Sequence, residues 1–319
     1  MRLMKAIQMT RYGASDVLEL TERESPRVGP GQYLVRVHAS SINPIDWKLR
    51  QGALRMYMWP RLPMVPGFDI AGVIAEPAAG STRWKVGDPI YARIDQQFGG
   101  AYAEYAVVGE AALARKPSNL SDDEAAAVPL AGLTALQALR NAGVSRGQQV
   151  LIVGGSGGVG HFAVQIAKII GAHVVASCST ANVAMVTSLG ADLVIDYRTE
   201  PYRAPNSAYD VIFDTVVHDP FKRFAPLLAA RGRYVAVTPS PELLLRAPWL
   251  RLTSRRRIQF VMMKPSGADL AQLSDWIEAG RLRPVIDRVY PLGEAAAAHA
   301  YAEQGHVRGK VVLDLMASS

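Results

Sequence analysis

The sequence predicts an α/β chain in two parts, a doubly wound parallel sheet and a separate β-rich unit. Three observations carry that prediction. The middle of the chain alternates strand-like and helix-like runs. A glycine-rich loop stands at the first strand-to-helix turn of that alternation. Both ends of the chain consist mainly of short strands punctuated by glycine and proline.

The first part places strands at Met4–Thr10, Val17–Glu22, Tyr33–Ile42, Phe68–Glu76, Pro89–Arg93 and Ala101–Val108. Lys85-Val86-Gly87-Asp88 reads as the turn into Pro89–Arg93. Many short strands suggest a barrel or sandwich. Between them Ala53–Pro63 (ALRMYMWPRLP) is rich in Met and aromatic side chains; it reads as a pocket border or, more ordinarily, a packed lid. Ser121 with Glu124 three residues on is a capping box, and Leu130–Asn141 follows as a helix ending at Gly143.

The alternating part has strands at Val150–Val153, His173–Ser177, Leu193–Tyr197, Val211–Val216, Arg233–Val237 and Ile258–Met263. Helices are expected after the glycine loop, near Asn182–Leu189, and near Phe221–Ala230 with a stop at Gly232. Six strands fit the doubly wound order 3-2-1-4-5-6. The chain then returns to its first style, with helices at Asp269–Leu282 and Glu294–Gln304 and a closing strand at Lys310–Leu315.

The loop itself joins the β-branched run Val150–Val153 to a helix with apolar residues at Ala163, Ile166, Ala167 and Ile170. Gly155, Gly157 and Gly160 satisfy G-x-G-x-x-G, with Ser156, Gly158 and Val159 between them. In that strand–loop–helix context the first glycine allows a tight turn, the second a close approach of backbone to a pyrophosphate, and the third close helix–strand packing. The helix N-terminus offers N–H groups to phosphate. No G-K-[ST] ending supports a nucleoside-triphosphate loop. NAD sites carry an acidic residue after the second strand, a position that falls near Ser177–Ser179; no carboxylate lies between Ala176 and Val183. The expected dinucleotide is therefore NADP(H), although no Arg or Lys stands there either. The hydroxyls of Ser179 and Thr180 can bond a 2′-phosphate or simply cap the next helix.

Composition narrows the field. The 319 residues are 49 % hydrophobic and 20 % charged, ordinary values for a globular chain long enough for two domains. A net charge of +7 favours anions without naming one. One cysteine, Cys178, and scattered histidines offer no metal-ligand spacing. Arg255-Arg256-Arg257 reads as a solvated run, so nucleic acid is not an expected partner. No segment is apolar enough to insert into a membrane, and the N-terminus lacks a secretory pattern, so the cytoplasm is the expected compartment.

Further motifs give a resemblance that runs nearly end to end. They are Asn43-Pro44-Ile45-Asp46 continuing to Arg50 and Gly52, Val65-Pro66-Gly67-Phe68-Asp69-Ile70-Ala71-Gly72, and Gly99-Gly100-Ala101-Tyr102-Ala103-Glu104-Tyr105. Ala131-Gly132-Leu133-Thr134-Ala135, Ser188-Leu189-Gly190-Ala191-Asp192, Ile195-Asp196-Tyr197 and Gly309-Lys310-Val311-Val312 complete the set. With the glycine loop, the chain resembles the medium-chain dehydrogenase/reductase superfamily, in its zinc-free quinone oxidoreductase branch. The resemblance implies a GroES-like β-rich catalytic domain at 1–125 with 265–319 and a Rossmann domain at 126–264. It also implies a homodimer, for which the edge-strand candidate is Ile258–Met263, equally readable as an internal strand.

Zinc-dependent members use Cys and Gly-His-Glu as ligands, where this chain has Ser41-Ile42-Asn43 and Gly67-Phe68-Asp69. The implied reaction is metal-free hydride transfer from NADPH to a quinone or activated alkene. The alternatives are an enone/alkenal reductase with incidental quinone activity, or a non-catalytic NADP(H)-sensing protein. Asn43 is implied to lie beside the nicotinamide, though Asn-Pro pairs also start turns. Lys48 stands where some relatives carry Tyr; it reads as a donor to the acceptor or as a solvent-facing lysine. Implied cofactor contacts are Thr134, Gly157, Gly158 and Val159, then Ser179, Thr180 and Asn182 at the adenosine-phosphate corner. Tyr197 is placed at the adenine or is an ordinary strand-end aromatic, and Thr215 and Thr238 near the nicotinamide ribose. Ala181 stands where many relatives have a basic residue.

Overall fold

Period-two burial forms the first strands in the computed structural model, which describes residues 3–55, 61–204 and 208–317. β1 (Leu3–Gln8) and β2 (Glu19–Glu24) pair antiparallel. There follow β3 (Gln32–Ile42), α1 (Pro44–Arg50), β4 (Asp69–Glu76), β5 (Pro89–Arg93), β6 (Tyr105–Gly109) and β7 (Leu113–Arg115). After α2 (Asp122–Ala126) and α3 (Pro129–Asn141) come β8 (Gln149–Val153), α4 (Gly160–Ile170), β9 (His173–Cys178), α5 (Val183–Ser188) and β10 (Leu193–Asp196). Then β11 (Tyr209–Asp214), β12 (Leu228–Ala236), α6 (Pro241–Thr253) and β13 (Arg257–Phe260) lead to α7 (Gly267–Glu278), β14 (Ile286–Pro291), α8 (Ala295–Glu303) and β15 (Lys310–Asp314). The chain divides into two units, Met1–Leu133 with Pro265–Ser319, and Thr134–Lys264.

In the first unit β3 does most of the organising. Its first half pairs with β6, its second half with β15, and β4 follows it along the other edge, all antiparallel. The seven-stranded sheet runs β14-β15-β3-β4-β5-β7 with β6 on β3. This register sets Ser41 opposite both Asp69 and Val312, and Ile42 opposite Val311, so the ends of β3, β4 and β15 meet. The core behind them contains Tyr33, Val35, Phe68, Ile70, Ile90 and Tyr102, all fully buried.

The second unit is a parallel sheet in the order β10-β9-β8-β11-β12-β13, the doubly wound order expected. β8 is central, and Val150–Val153 are buried on both faces, which is why that run shows no alternation. Residues of α4 from Gly160 to Ala167 are buried, a wider stripe than the four-residue face read from spacing. Gly171 ends the helix in the left-handed conformation, φ 92°.

Several elements differ from expectation. Phe221–Ala230 is not a helix: two 3₁₀ turns, Phe221–Arg223 and Ala225–Leu227, run straight into β12, which passes through Gly232. Pro226 explains this, since it lacks an N–H and disfavours helical backbone at Ala225. The strand expected at Ala101–Val108 begins only at Tyr105. Helices α1 and α6 and strands β7 and β14 were not anticipated. Pro44 sits at N1 of α1, where a missing N–H costs nothing, whereas Pro248 interrupts the pattern of α6 yet lies on its exposed side, where water can bond the freed carbonyl. Of the Met- and aromatic-rich loop, Met56–Pro60 lie outside the described residues. No helix among the described residues is long and apolar enough to cross a membrane.

The capping box at α2 is formed as read: Ser121 Oγ accepts the Glu124 N–H at 3.1 Å and Glu124 accepts the Ser121 N–H at 2.9 Å. Ser121→Ala should lower stability by about 1 kcal/mol, measured as a shift of the denaturant midpoint with unchanged slope.

Candidate functional site

The turn after β8 shows which glycines the fold needs for itself. The left-handed residue is Gly154, φ 79°, not Gly155 as the motif frame suggests; a Cβ there would fall 2.4 Å from Val216 Cγ2. Gly155 is needed for packing, its Cβ position lying 3.0 Å from Ala176 Cβ. Gly160 lets helix meet strand, since a Cβ would stand 2.0 Å from the Gly154 carbonyl oxygen. Gly157 is different. A Cβ there would meet nothing closer than Gly154 O at 3.5 Å, so the protein's own packing leaves this face open. The motif reading assigns this position to close approach of a pyrophosphate, and the fold leaves room for it.

Around this loop Ser156, Ser179, Asn182 and Thr215 gather at the carboxyl ends of β8, β9 and β11. Gly154 N–H donates to Ser177 Oγ at 3.3 Å, and Gly155 N–H to the Ser177 carbonyl at 2.7 Å. Asn182 Nδ2 donates to both Ser156 Oγ and Ser179 Oγ at 3.2 Å. Its Oδ1 is buried with no hydrogen-bond partner among the described residues. Thr215 Oγ1 donates to the Val153 carbonyl at 2.7 Å. Tyr197 is half exposed, and Thr238 sits in the bend after β12. Thr134 is buried on α3. Gly158 and Val159 complete the loop, with Val159 as the residue before α4.

The spatial neighbours change one reading. The end of β9 lacks a carboxylate in sequence, but β10 brings Asp196 opposite Cys178. Thr180 is not idle there: its hydroxyl donates to Asp196 Oδ2 at 2.6 Å, and Arg198 N–H donates to Oδ1 at 3.0 Å. Those bonds, Thr180 foremost and the Arg198 charge among the rest, hold the Asp196 carboxyl below its usual range. The carboxylate is thus committed, and Arg198 supplies a cation beside a corner where the sequence had shown none.

A further residue escaped sequence reading altogether. Val217 is β-branched yet has φ 54°, held there because Asp214 Oδ1 accepts the N–H groups of Val216 and Val217 at 2.9 and 2.7 Å. Tyr234 locks the other oxygen of Asp214 at 2.5 Å. Strain of this kind clusters at ligand sites, and no residue pattern announces it.

In the first unit four motifs converge on one buried polar cluster. Pro44 begins α1, Asn43 stays extended before it, and Asp46 reaches back to accept the Asn43 N–H at 2.7 Å. The Asn43 side chain is almost fully buried and its amide is fully engaged. Oδ1 accepts from Lys310 Nζ at 2.5 Å, while Nδ2 donates to Asp69 Oδ2 at 2.9 Å and the Ser41 carbonyl at 3.3 Å. Asp69 also accepts from Ser41 Oγ and from the Leu130 N–H, both at 2.8 Å. Lys310 Nζ lies 3.7 Å from Asp69 Oδ2 and donates to the Ile42 carbonyl at 3.1 Å. Burial pulls the Lys310 ammonium below its ordinary pKa, and the nearby carboxylates oppose that pull.

The cluster continues through Tyr102, whose hydroxyl donates to Asp46 Oδ2 at 3.0 Å and meets His299 Nε2 at 3.3 Å. With the tyrosine proton given to Asp46, His299 must carry its proton on Nε2. Burial, reinforced by Arg50, keeps that imidazole neutral, its pKa lowered to about 3. Arg50, fully buried, pairs with Glu303 and donates to the Gly13 carbonyl at 3.2 Å. Asp46 is pushed up to about 7, chiefly by burial, with Asp69 adding to the rise. Its Oδ1 has no partner among the described residues. Lys48, half-buried on α1, takes no part in these bonds.

Comparison with known proteins matches both units, the second match running across their boundary at 264/265. Residues 29–118 match the family model described as an alcohol dehydrogenase GroES-like domain, and residues 189–313 the one described as a zinc-binding dehydrogenase. The chain is 35 % identical over 325 residues to a chloroplast envelope quinone oxidoreductase homolog of Arabidopsis thaliana, covering 98 % of this chain and 99 % of that one. It is 36 % identical over 322 residues to an NADPH-dependent alkenal/one oxidoreductase of the same plant, covering 97 % and 79 %. Among solved structures, a quinone oxidoreductase from Coxiella burnetii superposes with a TM-score of 0.90 at 34 % identity, over 98 % of this chain and all of that one.

Two expectations follow from the geometry. Gly160→Ala should cost at least about 3 kcal/mol through steric strain, whereas Gly157→Ala should stay within roughly 0.5 kcal/mol of the parent in a denaturant melt. Asp46, with its folded pKa above the unfolded value, stabilises the fold in its protonated form. That contribution is full below about pH 4 and is lost as the pH rises through about 7. Asp46→Asn should flatten this decline, read as denaturant midpoint against pH.

Proposed function

Because the chain belongs to the medium-chain dehydrogenase/reductase superfamily, in its quinone oxidoreductase branch, we propose that it is an NADPH-dependent oxidoreductase delivering hydride to a quinone or an activated alkene without zinc. The observation that carries the reading is the open face at Gly157 beside the partnerless Asn182 Oδ1, a cradle the fold itself does not fill. NADPH, when bound, supplies the hydride. The backbone from Gly155 to Gly160 would hold its pyrophosphate at the N-terminus of α4. Ser179 and Thr180 would take the adenosine-phosphate end, Thr180 by turning its hydroxyl proton from Asp196 to the phosphate. Asn182 Oδ1 would accept from a ribose hydroxyl, with Tyr197 at the adenine, while Thr134, Thr215 and Thr238 serve the nicotinamide end. Arg198 offsets the charge of a 2′-phosphate next to Asp196.

The residues at the zinc ligands' positions do not fit a zinc ion. Ser41 and Phe68 offer neither thiolate nor imidazole, and Lys310 puts an ammonium 3.7 Å from the carboxylate of Asp69. Among the described residues no three His, Cys, Asp or Glu side chains converge as metal ligands. The acceptor must then be polarised by hydrogen bonds. Asn43, with its amide already held by Lys310, Asp69 and Ser41, acts as a fixed wall at the reacting centre. Lys48 donates to the acceptor oxygen as the hydride arrives, and a proton completes the reduction. Both a quinone and an alkene conjugated to a carbonyl present such an oxygen. We also propose a homodimer formed through β13, the outermost strand of the parallel sheet.

A nucleotide titration followed by paired assays with a quinone and a medium-chain enone tests the reading. NADPH should bind more tightly than NADH, and at least one acceptor should be reduced. Tight binding without oxidation of NADPH across a broad acceptor panel would point instead to a sensing role. Gly157→Ala should weaken NADPH without loss of fold. Arg198→Ala should weaken NADPH about tenfold and NADH hardly at all. Lys48→Met should lower kcat roughly a hundredfold with unchanged NADPH affinity.

A further inference from the structure

Helix α6 carries an apolar surface that the second unit does not use. Leu243 and Leu250 are buried and anchor the helix to the core beside β12 and β13. On the other side Leu252 is 86 % exposed, Leu245 77 %, Trp249 60 % and Leu244 54 %. At 100° per residue these four side chains and Pro248 fall within one arc of about 140°. The arc has cationic borders. Arg251 flanks it next to Leu244, and Arg246 flanks it beyond Trp249. Arg255 follows at the helix end, exposed like Arg251, and neither has an ion-pair partner among the described residues. The segment's one carboxylate, Glu242, is taken by Arg246 at 2.9 Å.

We propose that this face of α6 docks on an anionic lipid surface, with Leu245, Trp249 and Leu252 entering the headgroup boundary and Arg251 and Arg255 meeting lipid phosphates. Leucine and tryptophan on one face with arginine at its edges is the arrangement an interfacial helix needs: the rings and chains leave water while long cationic side chains reach outward to the headgroups. A thirteen-residue helix interrupted by Pro248 lies on a membrane rather than crossing it. Charge argues against a second copy as the occupant. A two-fold contact sets the same patch against itself, so the arginines of both copies would enter one interface in which the segment's one carboxylate, Glu242, is already paired. A lipid phosphate layer supplies the opposite charge along the whole patch.

The experiment is co-sedimentation of the full chain with phosphatidylcholine vesicles, with and without phosphatidylglycerol, at low ionic strength. The protein should pellet with the anionic vesicles, remain in solution with the neutral ones, and be released by added salt. Leu245→Ser/Trp249→Ser/Leu252→Ser should weaken the partition at least roughly tenfold while thermal midpoint and NADPH binding are retained. Arg251→Glu/Arg255→Glu, which touches no core residue, should weaken it by a similar factor; it carries the test alone if the triple variant fails to fold. The proposal is overturned if the chain does not pellet with anionic vesicles or if the variants pellet as the parent does. It is equally overturned if the triple variant turns a dimer into a monomer in sedimentation velocity with vesicle binding unchanged, which assigns the patch to a second copy.

Discussion

Lys310 carries an ammonium group into the protein interior, and much of the first unit is arranged to keep that charge partnered. An isolated ion moved into a protein interior costs several kcal/mol, so each neighbour has a reason to be where it is. Asn43 turns its amide oxygen to the ammonium and its amide nitrogen to Asp69. Asp69 balances the charge and is itself satisfied by Ser41 and the Leu130 N–H. Three strand ends and the start of two helices are fixed by this one set of contacts. A cation held by the chain also explains how a fold related to zinc enzymes keeps a polar centre with no thiolate or imidazole at the ligand positions.

Next to it the cluster formed by Asp46, Tyr102 and His299 shows what burial does when partners are fewer. Burial raises the pKa of Asp46 against the two donors on its one partnered oxygen, and burial, reinforced by Arg50, lowers that of His299. The two shifts act on stability in opposite senses. His299 disfavours the fold as it is forced to charge in acid, and Asp46 as it ionises towards neutrality. Arg50 and Glu303 close the cluster as an ion pair between α1 and α8.

Much of the second unit could be read locally, because a strand, a glycine turn and an amphipathic helix are neighbours in sequence. The sheet order followed from six strands in alternation, and the loop was located from its glycines. Finer points were not local. The motif frame put the left-handed turn at Gly155, but only backbone geometry shows Gly154 there. Asp196 and Arg198 lie more than a dozen residues beyond Ser179 and reach the same corner only because β10 pairs with β9. Proline misled twice in opposite directions: Pro226 ended a helix that spacing suggested, and Pro248 sits inside one that spacing hid.

By itself the sequence determined the fold class, the strand order of the parallel sheet and the place of the glycine loop, since all three rest on periodicity and on residues that bend the backbone. Its motifs also named Asn43 and Lys310 separately. Tertiary structure decided that these two touch and that Asp69 joins them, because the register of β3 with β4 and β15 is set by the whole sheet and not by any segment. It likewise decided which glycine in the loop is free. Gly154, Gly155 and Gly160 are held by contacts with neighbouring backbone and side chains, and Gly157 alone among these four has room for a Cβ. Exposure on α6 was decided in the same way, for a leucine is apolar in any sequence and only packing tells which leucines the core has left outside.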